Sequence, residues 1–229
     1  MEVNVMTDVL AKNDAIAASL RQRFKEKHIF VFNLLGSPGA GKTSLLEATL
    51  TELAKEFRIA VIEGDLYTAK DAERVHRLGI PVLQINTVGG CHLDAQMIED
   101  ALEELDLDTL DIIIIENVGN LVCPAEFAIG EEVKVTVLSV TEGEDKPLKY
   151  PLIFKESSAI LLNKVDLLPY IPFKKDKAIE DIESLNPGVS IFEISCINFT
   201  IYNLSVCNVN NHSVHIVESF LHRIPLYIH

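Results

Sequence analysis

One eight-residue segment constrains the fold of this chain more than any other, Gly36-Ser-Pro-Gly-Ala-Gly-Lys-Thr43. An apolar run at residues 29–35 precedes it, and a helical pattern at residues 43–56 follows it directly. Glycines placed between a strand and a helix let backbone N–H groups surround a phosphate, toward which the helix N-terminus also points. The segment matches G-x-x-x-x-G-K-S/T in full, and it therefore predicts a P-loop that binds a nucleoside triphosphate.

The residues of this loop are expected to share the binding of the triphosphate. Lys42 is expected to reach the β- and γ-phosphates, and the hydroxyl of Thr43 to ligate a Mg²⁺ ion. Both are therefore predicted to be catalytic as well as binding residues. The remaining predicted nucleotide contacts of the loop are Gly36, Ser37, Pro38, Gly39, Ala40, Gly41 and Ser44.

Short apolar runs rich in β-branched residues alternate with segments of helical periodicity along the chain. The runs that predict strands lie at residues 29–35, 58–62, 81–85, 111–115, 133–140, 159–162 and 190–194. Helices are predicted at residues 7–27, 43–56, 69–78, 94–105 and 173–185. This alternation predicts an α/β fold, a P-loop NTPase three-layer sandwich with a mostly parallel sheet. We expect an N-terminal helix at 1–28 that packs on a nucleotide-binding domain at 29–196.

The charge balance and the cysteine content restrict the partners of the chain. A net charge of −14, from 20 basic and 34 acidic residues, disfavours binding to nucleic acid and to anionic membranes. No apolar run reaches the ~18 residues of a membrane span. Residues 1–14 carry acids and no apolar segment, so they do not resemble a secretory signal. Four irregularly spaced cysteines do not form a disulfide framework, so we expect a cytoplasmic protein.

A second motif selects the base of the nucleotide. Asn163-Lys-Val-Asp166 follows the predicted strand at 159–162, about 120 residues after the P-loop. The carboxylate of Asp166 can accept hydrogen bonds from N1–H and the exocyclic amine of guanine, a donor pair that adenine lacks. Asn163, Lys164 and Asp166 are therefore predicted guanine-binding residues, and GTP is the predicted nucleotide.

Two acidic residues at predicted strand ends are candidates for the magnesium site. Asp65 ends the run Glu63-Gly-Asp65, and Glu116 follows the apolar strand at 111–115. A P-loop requires such an acid to hold Mg²⁺ or its waters. We expect Asp65 to be the nearer partner and Glu116, with its longer side chain, to act through water or to orient it. A purely structural role for Glu116 is the alternative.

Two thiols and an imidazole follow other predicted strands, at Cys91, His92 and Cys123. These ligands suit Zn²⁺ or Ni²⁺ better than Mg²⁺. Adjacent side chains such as Cys91 and His92 are not expected to chelate one ion easily, and three ligands leave a tetrahedral ion incomplete. A two-fold dimer would supply six ligands across its axis. The alternative is that the cysteines are buried hydrophobic residues and that His92 only begins a helix.

Taken together, these motifs resemble the HypB family, the GTPases that incorporate nickel during maturation of nickel–iron hydrogenase. The resemblance covers roughly residues 7–196 and is strengthened by Glu116-Asn-Val-Gly-Asn-Leu-Val-Cys-Pro124 and by the loop at residues 141–151. It implies a fold related to the signal-recognition and MinD-type NTPases, with slow hydrolysis of GTP to GDP. It also implies GTP-linked homodimerisation and a nickel or zinc site at the dimer interface, which makes Cys91, His92 and Cys123 the expected ligands.

The resemblance further implies a hydrogenase maturation partner and the hydrogenase large subunit as binding partners. Lys146 and Lys149 are weaker candidates for reaching phosphate across the dimer. Two other functions remain possible interpretations of the sequence. One is a GTP-dependent switch or scaffold with a structural zinc site, and the other is a related chaperone GTPase for urease nickel or a cobalamin enzyme.

The chain departs from the family pattern near its end. The guanine loop reads Ser195-Cys196-Ile197, without the lysine expected at its third position. From residue 197 to 229 only Glu218 and Arg223 are charged, whereas four of the seven histidines lie there. This change predicts an atypical tail, either an irregular extension or an altered, frameshifted end of the domain. Metal binding by the irregularly spaced tail histidines is a weak alternative.

Overall fold

The protein is built around one eight-stranded sheet. The computed structural model describes residues 5–65, 70–197 and 200–203. The strands are β1 (Phe30–Gly36), β2 (Ile59–Asp65), β3 (Val82–Asn86), β4 (Ile112–Glu116), β5 (Val133–Ser139), β6 (Ala159–Asn163), β7 (Ser190–Ser195) and β8 (Thr200–Asn203). Their order is β3-β2-β4-β1-β5-β6-β7-β8, and only β8 runs antiparallel to its neighbour.

Eight α-helices and three short 3₁₀ segments connect the described strands. The helices are α1 (Val5–Glu26), α2 (Lys42–Leu53), α3 (Lys70–His76), α4 (Ala95–Ala101), α5 (Cys123–Glu126), α6 (Lys146–Lys149), α7 (Pro151–Lys155) and α8 (Lys175–Leu185). The 3₁₀ segments are Leu102–Glu104, Leu107–Thr109 and Val165–Tyr170. Among the described residues, no helix has both the length and the apolar character needed to cross a bilayer.

Side chains that alternate along the strands form a core on each face of the sheet. In β4, Ile112 and Ile114 pack with the apolar side of α2, whereas Ile113 and Ile115 pack with α1 and α4. A further cluster lies under α7 and α8 at the β6–β7 side of the sheet. A strand buried on both faces must be apolar at every position, which explains the unbroken isoleucine run of β4. The result is the three-layer α/β sandwich predicted from the sequence.

All seven predicted strands are present, and each observed strand begins within one residue of its predicted start. The four-residue helices α5 and α6, the five-residue helix α7 and the edge strand β8 were not predicted. The tail prediction concerns mainly residues 204–229, which with 198–199 lie outside the described residues. Within the part that is described, Thr200–Asn203 adds an antiparallel strand to β7 rather than irregular structure.

Candidate functional site

The P-loop joins β1 to α2 at the centre of the sheet. The ammonium group of Lys42 donates hydrogen bonds to the carbonyl oxygens of Gly36 (3.3 Å) and Ser37 (3.4 Å). The whole side chain is buried, with 6% of its surface exposed. A cation held among the carbonyls and N–H groups of a glycine-rich loop can meet the terminal phosphates of a nucleotide at the N-terminus of α2.

A cavity of about 410 Å³ opens directly beside this loop. Its size falls within the roughly 300–1,000 Å³ of small-molecule sites. It brings together residues from the P-loop, from the ends of β2 and β4 and from the guanine motif. Its lining is Pro38, Gly39, Gly41, Lys42, Thr43, Ser44, Glu63, Gly64, Asp65, Asp71, Arg74, Glu116, Asn117, Val118, Gly119 and Lys164. Six of the nine predicted P-loop contacts, both predicted acids and Lys164 of the guanine motif therefore share one space. The lining does not include Gly36, Ser37, Ala40, Asn163 and Asp166.

The predicted guanine motif is attached to the P-loop by direct contacts. Asn163 donates a hydrogen bond to the carbonyl oxygen of Ala40 (2.9 Å), and the ammonium group of Lys164 donates one to that of Gly39 (2.7 Å). The backbone of Gly41 has a φ of 102°, and a Cβ there would lie 2.3 Å from the Asn163 amide nitrogen. Only glycine therefore permits this close approach.

Asp166, the predicted guanine acceptor, is oriented by the end of β7. The hydroxyl of Ser195 donates a hydrogen bond of 2.6 Å to its carboxylate. The thiol of Cys196 lies 3.5 Å from the side-chain oxygen of Asn163, so the Ser-Cys pair contacts both ends of the motif. Ile197, which stands where the lysine was expected, is 77% exposed. The loop therefore keeps its positioning contacts although the expected lysine is missing.

The acids at the ends of β2 and β4 both line the cavity beside Thr43. The Thr43 hydroxyl donates a hydrogen bond to Glu116 (2.9 Å), whereas Asp65 lines the same cavity from the end of β2. Glu63, which the sequence analysis did not single out, is paired in register with Glu116. Burial and the adjacent Glu116 carboxyl raise the pKa of Glu63 to about 10. Burial also raises the pKa of Glu116.

A basic side chain on the cavity wall was also missed. Arg74 of α3 contacts the carboxylates of Glu47 (2.5 and 2.9 Å) and Asp71 (3.1 Å) and the hydroxyl of Ser44 (3.2 Å). These contacts tie α3 to the first turns of α2 next to the P-loop. The arginine lies in the predicted helix at 69–78, where its charge resembled that of any solvated helix face, so no local signal distinguished it.

The three predicted soft ligands form one cluster within a single chain. The sulfur atom of Cys91 lies 2.8 Å from that of Cys123 and 3.5 Å from Nδ1 of His92. Ligand atoms of all three residues lie within 4.8 Å of one another. The adjacent Cys91 and His92 thus present their ligand atoms to one space, an arrangement that the sequence pattern had disfavoured. Cys91 is exposed and Cys123 half-buried, which also argues against two buried hydrophobic residues.

The environment of the cluster affects its protonation. The His92 ring stacks on Phe127, with centroids 3.9 Å apart and planes at 29°. Partial burial lowers the pKa of His92, which favours the neutral imidazole that binds metal. The hydrogen bond to Cys123 raises the pKa of the Cys91 thiol. The protonated thiol form of Cys91 is thereby favoured.

Comparison with known proteins identifies the family. A family model described as the CobW/HypB/UreG nucleotide-binding domain matches residues 30–193. The hydrogenase maturation factor HypB of Escherichia coli K12 is 54% identical over 193 residues, which cover 84% of this chain and 67% of that protein. The chain belongs to the HypB family. The resemblance carried by the sequence motifs is thereby confirmed.

Other HypB proteins are also similar to this chain in sequence and in structure. HypB of Azotobacter vinelandii is 50% identical, and the match covers 84% of this chain and 64% of that protein. The chain thus spans about two thirds of the length of these relatives. The crystal structure of Helicobacter pylori HypB in complex with nickel gives a TM-score of 0.79 at 35% identity, covering 95% of this chain and 99% of that one.

The fold extends beyond the HypB family. The signal recognition particle receptor FtsY of Elizabethkingia anophelis gives a TM-score of 0.53 at 15% identity, covering 91% of this chain and 72% of that one. At this identity the likeness concerns the fold alone. The predicted relation to signal-recognition GTPases is confirmed at that level.

In this HypB-family chain a single loop connects the nucleotide cavity to the Cys/His cluster. The backbone N–H of Asn120 donates to the carbonyl oxygen of Gly36 (3.1 Å), and its side-chain amide donates to that of Cys91 (3.2 Å). Gly119 packs so tightly on Pro38 that a Cβ would lie 2.8 Å from the proline nitrogen. Residues 117–120 therefore contact the P-loop and the predicted metal ligands at the same time.

Proposed function

We propose that this protein is a GTP-hydrolysing metallochaperone that inserts nickel into nickel–iron hydrogenase. The observation that carries the proposal is the direct contact of one residue, Asn120, with both the P-loop at Gly36 and the metal cluster at Cys91. Such a loop can make metal affinity depend on the nucleotide state. The names of the relatives, a hydrogenase maturation factor and a nickel complex, support the same assignment.

The nucleotide is proposed to bind with its phosphates on the P-loop, from Gly36 to Ser44. Lys42 neutralises charge on the terminal phosphates, and the loop N–H groups stabilise the charge that develops as water attacks. The products are GDP and phosphate. Because phosphoryl transfer depends mainly on positioning and electrostatics, no covalent intermediate on the protein is required.

A Mg²⁺ ion fits the oxygen donors at the phosphate end of the cavity. We assign Thr43, Asp65 and Glu116 to its site, since hydroxyl and carboxylate oxygens suit this hard cation. Glu116 accepts a hydrogen bond from the Thr43 hydroxyl, which supports its place beside this hydroxyl in the ion site. When bound, Mg²⁺ supplies positive charge to the β- and γ-phosphates.

We expect Asp166→Asn to remove the preference for guanine. The amide presents a donor where guanine needs an acceptor, so a buried hydrogen bond is lost and the affinity for GTP should fall by about 10–100-fold. Xanthosine triphosphate should become the better ligand. Competition of GTP, ATP and xanthosine triphosphate against a fluorescent GDP analogue measures the change. Equal affinity of the unmodified protein for ATP and GTP would contradict the assignment.

The cargo metal is proposed to bind at Cys91, His92 and Cys123. Three ligands from one chain leave a position open, which suits an ion that must be released, and a homodimer would bring six ligands together. Lys149 forms an ion pair with Asp145 of its own loop, and Lys146 lies 3.7 Å from the same acid. A role of these lysines across a dimer remains a proposal.

Metal affinity should rise with pH across the neutral range. Because the pKa of Cys91 is raised, its thiol stays protonated at pH 7, and each bound ion displaces that proton. Affinity should therefore increase about tenfold per pH unit from this residue alone. His92, whose pKa is lowered, should weaken binding only at acidic pH. Nickel titrations at pH 6.5, 7.5 and 8.5 test this, and a pH-independent affinity would contradict it.

The main alternative is a GTP-dependent switch or scaffold with a structural zinc site. A structural ion is held in every nucleotide state, whereas a cargo ion must be released in one of them. The half-exposed, three-ligand cluster favours release, because structural zinc sites are closed by four ligands. Reduced thiols that bind metal also suit the reducing cytoplasm that we propose as the location. A maturation partner and the hydrogenase large subunit would then receive or pass on the metal.

The proposed function is tested by two assays on the same purified chain. Phosphate release from GTP, in the presence of Mg²⁺, should be slow but measurable and absent with ATP. Equilibrium dialysis with Ni²⁺ should give binding that requires Cys91 and Cys123. A protein that binds nickel but hydrolyses no GTP, or the reverse, would refute the combined assignment.

A further inference from the structure

An acidic residue to which the sequence assigned no role, Glu63, lies at the phosphate end of the cavity. Glu63 is in β2 and is paired in register with Glu116 of β4. The two side chains are 2% and 5% exposed, and both line the cavity beside Thr43. The positions before Glu63 in β2 are Ile59, Ala60, Val61 and Ile62, so an acid interrupts an otherwise apolar buried strand.

The carboxyl group of Glu63 is incompletely satisfied within the protein. Its Oε1 atom and Oε2 of Glu116 are buried and receive no hydrogen bond from a third residue, and the two carboxyl groups interact with each other. The nearby cation, Lys42, instead donates to the carbonyl oxygens of Gly36 and Ser37. Glu63 and Glu116 line the same cavity, and two adjacent carboxylates repel each other when both are ionised, so a cation beside them would stabilise the pair.

We propose that Glu63 is a positioning residue of the magnesium site, where it binds the water shell of the ion together with Glu116. This inference rests on the proposed function, which places Mg²⁺ at Thr43. Two carboxylate oxygens and a hydroxyl form the all-oxygen environment that Mg²⁺ prefers, and Mg²⁺ usually keeps several waters that carboxylates anchor. Glu63 thus acts through those waters and through Glu116 rather than on the phosphates.

Glu63→Gln is the informative substitution, because it keeps the size of the side chain but cannot ionise when Mg²⁺ binds. Binding of a fluorescent GDP analogue is measured while free Mg²⁺ is varied, with EDTA as the metal-free reference. The Mg²⁺ concentration at half-maximal effect should rise at least about tenfold, as for the loss of other outer partners of a metal. Affinity in EDTA should stay close to that of the wild type, because the P-loop contacts are unchanged.

Glu131→Gln is the matched control. Glu131 is 3% exposed, accepts a hydrogen bond from the backbone N–H of Ile129 (2.7 Å), and does not line the cavity. Its Mg²⁺ dependence should equal that of the wild type. If Glu63→Gln does not fold, as judged by thermal unfolding, Glu63→Asp replaces it, and its shorter carboxylate should also raise the required Mg²⁺ concentration.

The Mg²⁺ dependence of the Glu63 variants tests whether Glu63 belongs to the ion site. An unchanged Mg²⁺ dependence in a folded Glu63 variant would overturn it, as would a loss of nucleotide affinity that is equally large in EDTA. In the second case Glu63 would shape the loop rather than the ion site. A wild-type protein that binds no guanine nucleotide would overturn the proposed function instead, so the two failures are distinguishable.

Discussion

Replacing Lys42 with alanine is expected to lower kcat for GTP hydrolysis by on the order of 10²–10³-fold, the usual effect of removing one charge-stabilising donor. The fold should survive, because both carbonyl groups that Lys42 contacts have other donors. The Gly36 oxygen also accepts from Asn120, and the Ser37 oxygen accepts from the backbone N–H of Ala40 (3.2 Å). Phosphate release and thermal unfolding, measured on the same sample, separate catalysis from stability.

Lys55→Ala is the control for this experiment. Lys55 follows α2, is 62% exposed at its side chain and pairs only with Glu52 among the ion pairs of the described residues. A surface pair of this kind contributes little, so both activity and stability should stay close to the wild type. Full activity in Lys42→Ala would refute the assignment of the P-loop as the catalytic site.

The double substitution Cys91→Ser and Cys123→Ser is expected to abolish specific nickel binding. It removes two of the three clustered ligands, so affinity should fall by more than the roughly 10–100-fold that the loss of an outer partner costs. GTP binding should remain, because neither cysteine lines the nucleotide cavity. Equilibrium dialysis with Ni²⁺ and a parallel nucleotide titration measure the two effects.

Cys196→Ser provides the matched thiol control. The Cys196 thiol contacts Asn163 rather than the cluster, and burial raises its pKa to about 11, which disfavours metal-binding thiolate. Nickel affinity should therefore be unchanged. Equal nickel binding by the double variant and the wild type would show that the cluster does not hold the metal.

The sheet was predictable because its inner strands are short segments made mainly of apolar, β-branched residues. In β4, four successive isoleucines fill both faces of the sheet, and this pattern needs no knowledge of the neighbouring strands. The P-loop was equally visible, because its function depends on eight contiguous residues. The helices α5, α6 and α7 were missed since they are only four or five residues long. A proline in the first turn of each is the signal that could have indicated them.

The parts of the site that depend on strand register were not predictable from single segments. Glu63 reaches Glu116 only because β2 and β4 are neighbours and are paired at these two positions. Phe127 reaches His92 only because α5 returns the chain to the Cys91 loop. Two runs that end in acidic residues in the same parallel sheet would have been the signal for the first contact. No periodic pattern in the sequence predicts the contact between Phe127 and His92.

The dependence of nickel affinity on the bound nucleotide tests the central claim most directly. Nickel affinity and molecular mass are measured on one preparation with GDP and with a nonhydrolysable GTP analogue. Contacts of Asn120 with Gly36 and Cys91 predict that the two states differ in affinity. The family resemblance implies that the GTP-type state is a dimer. By linkage, nickel should favour that dimer by the same factor. Identical nickel affinity in the two states would contradict a GTP-controlled metallochaperone.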